Sequence, residues 1–196
     1  LINGGDGNDT ALMGAGDDTF TWDPGDGSDV VEGQDGTDTM VFNGSAGNEQ
    51  FELSANGGRL RFTRDIGNIV MDVNDLERVD VNALGGIDKV TVGDLTGTDV
   101  KSVNLDLAGT RGGATGDGQT DQVVVNGTNA NDAIAVAGDA SGVTVSGLHT
   151  QVAIQHQEPT DKLFVEGLGG DDNISATGLA AGAITEFLDG GDGNDA

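Results

Sequence analysis

A nine-residue pattern, G-G-x-G-x-D-x-U-x with U a large apolar residue, fits four successive windows of the chain, beginning at positions 4, 13, 24 and 33. Its fourth column is Gly7, Gly16, Gly27 and Gly36, its sixth is Asp9, Asp18, Asp29 and Asp38, and its eighth is Ala11, Phe20, Val31 and Met40. Six glycine-rich residues let the backbone take positive φ and turn tightly, and three more make a short strand. Each strand then has one large side chain to bury. Met13, Pro24 and Gln34 stand in glycine columns, and Trp22 and Asp23 are inserted. A flexible Gly/Asp linker shares this composition but has no reason to hold aspartate and an apolar residue in fixed columns.

Charge sets the next constraint. The 196 residues carry 34 acidic against 8 basic side chains, a formal −26, and such self-repulsion opposes compaction unless cations neutralise it. Nucleic acids and anionic membrane surfaces are poor partners for a chain without basic patches, and no apolar run is long enough to insert into a bilayer. Calcium is the better partner, because short aspartates and turn carbonyls supply the all-oxygen set that it prefers. One nonapeptide is half a coil, so turns two windows apart stack, Asp9 on Asp29 and Asp18 on Asp38. A Ca²⁺ ion between stacked turns takes a carboxylate from each, with carbonyls from turns shaped by Gly5, Gly7, Gly14, Gly16, Gly25, Gly27 and Gly36. Folding is then coupled to metal binding.

This register resembles the RTX-type, or hemolysin-type, calcium-binding repeat. The resemblance implies a parallel β-roll, export through a type I system, and calcium-triggered folding at the cell surface or outside the cell. It covers residues 1–42 and restarts at 189–196, DGGDGNDA, where Asp195 takes the place of the ligand aspartate. The sequence reads as an excerpt from a longer secreted protein.

The middle repeats at a longer period, about 83 residues: the segment from Thr37 aligns with that from Thr120, and VNALGGIDKV with VEGLGGDDNI. The expected organisation is a calcium-binding roll over 1–42, β-repeat units over 43–107 and 121–188, a spacer over 108–120, and a further repeat from 189. Apolar-x-apolar triplets every nine to eleven residues predict a degenerate parallel β-solenoid with two copies. The alternative is an antiparallel sandwich, favoured by possible hairpins at SANGGRLRF and GDASGVTV. Gly85-Gly86-Ile87-Asp88 and Gly169-Gly170-Asp171-Asp172 read as shortened calcium turns, with Asp88 and Asp172 either ligands or local caps of tight turns.

Nothing in the sequence points to an enzyme. Cysteine is absent, no G-x-S-x-G elbow occurs, and His149 and His156 lack the third ligand or spacing of a metal centre. Arg59, Arg61, Arg64 and Arg78 gather in the first repeat unit and suit a glycan carboxylate, the chain's own acids, or a charged sheet edge. The expected function is a calcium-binding structural or adhesive extender, with extracellular glycan or self-association as partners besides calcium. Two alternatives stand beside it: an accessory module of a secreted polysaccharide-modifying enzyme or protease, and a self-assembling surface-layer or filament subunit.

Overall fold

The computed structural model describes residues 1–196, and the chain is all-β, with seventeen strands in two mixed sheets. The first four strands, β1 (Thr10–Leu12), β2 (Thr19–Trp22), β3 (Val30–Glu32) and β4 (Thr39–Ser45), alternate between a nine-stranded and an eight-stranded sheet. An antiparallel meander in the nine-stranded sheet follows, β5 (Gln50–Asn56), β6 (Arg59–Arg64) and β7 (Ile69–Asn74). Alternation resumes through β8 (Arg78–Leu84), β9 (Lys89–Val92), β10 (Ser102–Asp106) and β11 (Gln122–Asn126). A second meander, β12 (Ala133–Asp139), β13 (Gly142–Ser146) and β14 (Gln151–Gln155), lies in the eight-stranded sheet, and β15 (Lys162–Glu166), β16 (Asn173–Leu179) and β17 (Thr185–Asp189) complete the alternation.

Outside the meanders the pairings are parallel. Thr10 pairs with Val30 and Thr19 with Thr39, each twenty residues on, whereas parallel partners that enclose a meander are about twice as far apart in sequence, as in Thr39 with Arg78. Both hairpins suggested by the sequence form, β5–β6 around Gly57-Gly58 and β12–β13 around Ala140-Ser141. Glycine suits the first central position of that turn, where Gly57 takes left-handed backbone with φ of +66°. Each hairpin is an excursion within a sheet, since β4–β8, β8–β10, β10–β14, β9–β11 and β11–β15 remain parallel. The two long repeats do not occupy like positions: β4 and β11, which begin the aligned segments, lie in opposite sheets, as do the two meanders.

Period-two burial explains the packing. In β15, KLFVE, Leu163 and Val165 point inward and Lys162, Phe164 and Glu166 outward, and the inward side chains of both sheets join in one core of 37 residues. The eighth-column residues Ala11, Phe20, Val31 and Met40 are all in it. So is the inserted Trp22, whose ring stacks on Phe42 at 4.1 Å and whose Nε1 donates to the Gly27 carbonyl at 2.8 Å. Gly27 itself faces the preceding coil, where a Cβ would overlap the carbonyl oxygen of Gly7. Gly27→Ala is therefore expected to lower unfolding stability by about 1–3 kcal/mol, the usual range for overpacking, as measured by denaturant titration; an unchanged midpoint would show that the turns do not pack this closely.

Candidate metal centre

The turn over residues 4–9 ends in Asp9, immediately before β1, and takes left-handed backbone at its second and fourth positions, with φ of +75° at Gly5 and +115° at Gly7. The same signature recurs without glycine at the second position. Gln34 (+73°) and Gly36 shape 33–38, Leu84 (+73°) and Gly86 shape 83–88, and Leu168 (+74°) and Gly170 shape 167–172. Left-handed backbone costs a residue with a Cβ roughly 1–2 kcal/mol, so its repetition at leucine is a structural demand. The turns at Asp88 and Asp172 are thus not shortened: they are full six-residue turns, ALGGID and GLGGDD, with leucine in a glycine column.

Stacked turns are joined by reciprocal hydrogen bonds at their last two positions. Asp9 N donates to Asp29 Oδ1 (2.9 Å) while Ser28 N donates to Asn8 Oδ1 (2.9 Å). Asp18 N and Asp38 Oδ1 (2.8 Å) pair likewise, with Thr37 N to Asp17 Oδ1 (2.9 Å). Later in the chain Glu49 N donates to Asp88 Oδ1 and Ile87 N to Asn48 Oδ1, while Asp132 N donates to Asp172 Oδ1 and Asp172 N to Asp195 Oδ1. Asp88 and Asp172 are therefore not caps of their own turns through these bonds, since their partners lie 39 and 40 residues away.

The other carboxylate oxygen decides the chemistry. Oδ2 of Asp9, Asp29, Asp38, Asp88 and Asp172 is buried with no hydrogen-bond partner. In all five cases the residue four positions earlier, Gly5, Gly25, Gln34, Leu84 or Leu168, has left-handed φ. In two turns where that residue is not left-handed its N–H serves the acid instead, Ser45 N to Glu49 Oε2 (2.6 Å) and Thr128 N to Asp132 Oδ2 (2.7 Å). A buried carboxylate oxygen without a donor costs several kcal/mol unless it is protonated or meets a cation. A Cβ on Gly4 would lie 3.1 Å from Asp9 Oδ2 and 3.4 Å from Asp29 Oδ2, so the unpartnered oxygens of two stacked turns border one space that no side chain fills. Around Gly167 the same space is bordered by Asp172 Oδ2 and the carbonyl oxygen of Gly190. These donors, two carboxylates or a carboxylate and a carbonyl, fit a hard cation such as Ca²⁺. No three Asp, Glu, His or Cys side chains converge into a cluster, so backbone oxygens would have to supply most of its ligands.

A further column escaped the sequence reading. Glu49, Asp88, Asp121 and Asp161 each directly precede a strand of the nine-stranded sheet, and Asp88 N and Asp121 N continue the ladder to Asp121 Oδ1 (2.9 Å) and Asp161 Oδ1 (3.0 Å). The only signal for Asp121 and Asp161 is an aspartate one residue ahead of an alternating apolar run. Burial, reinforced by neighbouring carboxylates, pushes Asp88 up to about 8 and Asp121 to about 7, and raises Asp161 and Asp29 as well. A carboxyl whose folded pKa is raised stabilises the fold while protonated, and that contribution is lost as pH rises through the folded value. The thermal midpoint in chelator should thus fall between pH 5.5 and 8.5, and Asp88→Asn should flatten the slope; a midpoint that is level or rises with pH would contradict the raised values.

The remaining candidates separate. His149 contacts Lys101 and the Thr98 carbonyl, while His156 is half-buried with Nδ1 2.7 Å from Asp106, so the two do not share a site. Three of the four clustered arginines pair with the chain's own acids, Arg59 with Glu32 and Asp72, Arg64 with Glu49, and Arg78 with Asp80; Arg61 makes no ion pair. Within the spacer, Arg111 reaches back to Asp23 and Asn43. No family model matches the chain, and no curated protein matches it.

Proposed function

We propose that the chain is a calcium-dependent β-solenoid segment of a secreted RTX-like repeat protein, a parallel β-roll at its N-terminus continued by a degenerate two-copy solenoid, and that it serves as a structural or adhesive extender. The observation that carries this reading is the set of five buried aspartate oxygens without donors, each four positions after a left-handed residue. Carboxylates so placed in consecutive turns repel one another when ionised, and a divalent cation between them removes both the repulsion and the unmet hydrogen-bonding demand. Asp9 with Asp29, and Asp18 with Asp38, would hold calcium in the N-terminal turns, and Asp88, Asp172 and Asp195 in the later ones. Bound calcium supplies charge neutralisation and cross-linking between coils. The chain's own part is to present oxygens on turns whose spacing the parallel strands fix. In low free calcium the acidic N-terminal turns would stay open while the apolar middle keeps much of its structure, and the higher calcium outside the cell would close them, within reach even of weak extracellular-type sites.

The test is circular dichroism during calcium titration of the chelator-treated chain, for the parent and for Asp9→Asn, Asp18→Asn, Asp29→Asn and Asp38→Asn combined. A calcium-dependent gain in β signal that the combined variant loses supports the proposal. A full β signal in chelator, unaltered by calcium, rejects it.

A further inference from the structure

Acids outnumber bases by 34 to 8, so a basic side chain left without an acidic neighbour is informative. Arg59, Arg64, Arg78 and Arg111 are in ion pairs and Lys101 contacts His149. The three that remain, Arg61, Lys89 and Lys162, all stand on the outer face of the nine-stranded sheet, between inward neighbours that are buried.

Strand register aligns two of them. Lys89 pairs with Gln122 and Gln122 with Lys162, so the lysines form one row across three parallel strands with an amide between them. At the strand spacing of about 4.8 Å the two ammonium-bearing positions are about 9.5 Å apart. Two residues along each strand a second row runs beside the first, Thr91, Val124, Phe164 and Phe187. From Val124 on this row is apolar: the Phe164 and Phe187 rings stack at 4.7 Å and Phe187 is 46% exposed, while at its other end Thr91 pairs with Glu52. Beyond it stand Glu166 and Asp189. Upstream, the lysine row leads into a groove of about 460 Å³ whose lining includes Gln50, Arg61, Thr63 and Lys89 together with the acids Glu52 and Asp65, so the carboxylate-binding stretch is the lysine row and not the groove.

The geometry points to a binding face for an extended carboxylated polysaccharide, a uronate chain lying along the stacking direction of the strands, its carboxylates on Lys89 and Lys162 and its apolar C–H faces on Val124, Phe164 and Phe187. Three features favour this occupant. The lysine spacing is close to the rise of two sugars in an extended chain, amides and threonine hydroxyls between the cations suit sugar hydroxyls, and the acids on the far flank repel carboxylates and so fix which edge faces the lysines. Nucleic acid, with a denser run of phosphates, meets too few cations against an acidic field. The inference deepens the adhesive part of the reading above and rests on it for its biological setting.

The experiment is isothermal titration of the full chain, at one fixed free calcium concentration, with an eight-residue 1,4-linked uronate oligomer, its carboxyl-reduced neutral counterpart, and poly-glutamate of equal charge. The uronate should bind and weaken with added salt, and Lys89→Gln with Lys162→Gln should lower its affinity roughly tenfold, as expected for two exposed ionic contacts. Phe187→Ala should weaken it with the salt dependence kept. Equal binding of the neutral oligomer or of poly-glutamate, or uronate affinity untouched by the lysine substitutions, overturns the inference. Circular dichroism on the same samples separates the two proposals: a chain that gains β signal with calcium but ignores uronate defeats this one alone, whereas a chain whose β signal is already full in chelator, unaltered by calcium, and that binds uronate defeats the calcium reading alone.

Discussion

Saturating calcium should raise the thermal midpoint of the chelator-treated chain at pH 8 by about 6–20 °C. A site of the weak extracellular class, occupied at ten to a hundred times its dissociation constant, stabilises the folded state by about 1.4–2.7 kcal/mol. Two stacks of N-terminal turns double that, and for a chain near 200 residues each kcal/mol moves the midpoint by about 2–4 °C. Asp29 and Asp38 are the residues to change, because each is buried, bonds the preceding turn through Oδ1, and leaves Oδ2 unmet. Asparagine at both positions should abolish most of the shift while keeping the side-chain volume. Magnesium should reproduce little of it, since it demands a tighter octahedral shell than turn carbonyls offer. Equal shifts in parent and double variant would remove those aspartates from the site.

Arg64→Ala should destabilise the chain by about 3–5 kcal/mol. The Arg64 and Glu49 side chains are 5% and 0% exposed and form an ion pair, and Arg64 also lies over the Trp22 ring at 5.3 Å. Removing the cation strands a buried carboxylate whose other oxygen is already committed to Ser45 N. The cost is that of an uncompensated charge rather than of a lost attraction. Arg64→Met combined with Glu49→Gln should recover much of the stability in urea denaturation, and a double variant no more stable than Arg64→Ala would show that packing against Trp22, not charge, is what the residue supplies.

The N-terminal turns were legible because glycine, aspartate and an apolar plug recur together. Beyond residue 42 the backbone keeps the turn while the sequence changes its glycines, and Leu84 and Leu168 hid it, because leucine in a left-handed position is unexpected without knowledge of the stack that holds it there. Gly57-Gly58 announced its hairpin, yet whether the hairpin stood in an antiparallel sandwich or in a sheet otherwise paired in parallel depended on pairings such as β4 with β8, which no local signal encodes. Asp121 and Asp161 were invisible for the same reason: what marks them is the residue stacked on them, 40 positions apart. The lysine row on the outer face has no periodicity along the chain at all, since Lys89 and Lys162 are brought together only by their common register with Gln122.

The two meanders have a geometric result. Each adds two strands, about 10 Å, to the sheet that holds it. Because the second is added to the opposite sheet, the two additions offset each other and the sheets end at nine strands and eight. With only one of the meanders the two layers would differ in breadth by three strands or by one in the other sense, and one of them would leave part of its apolar face without a counterpart.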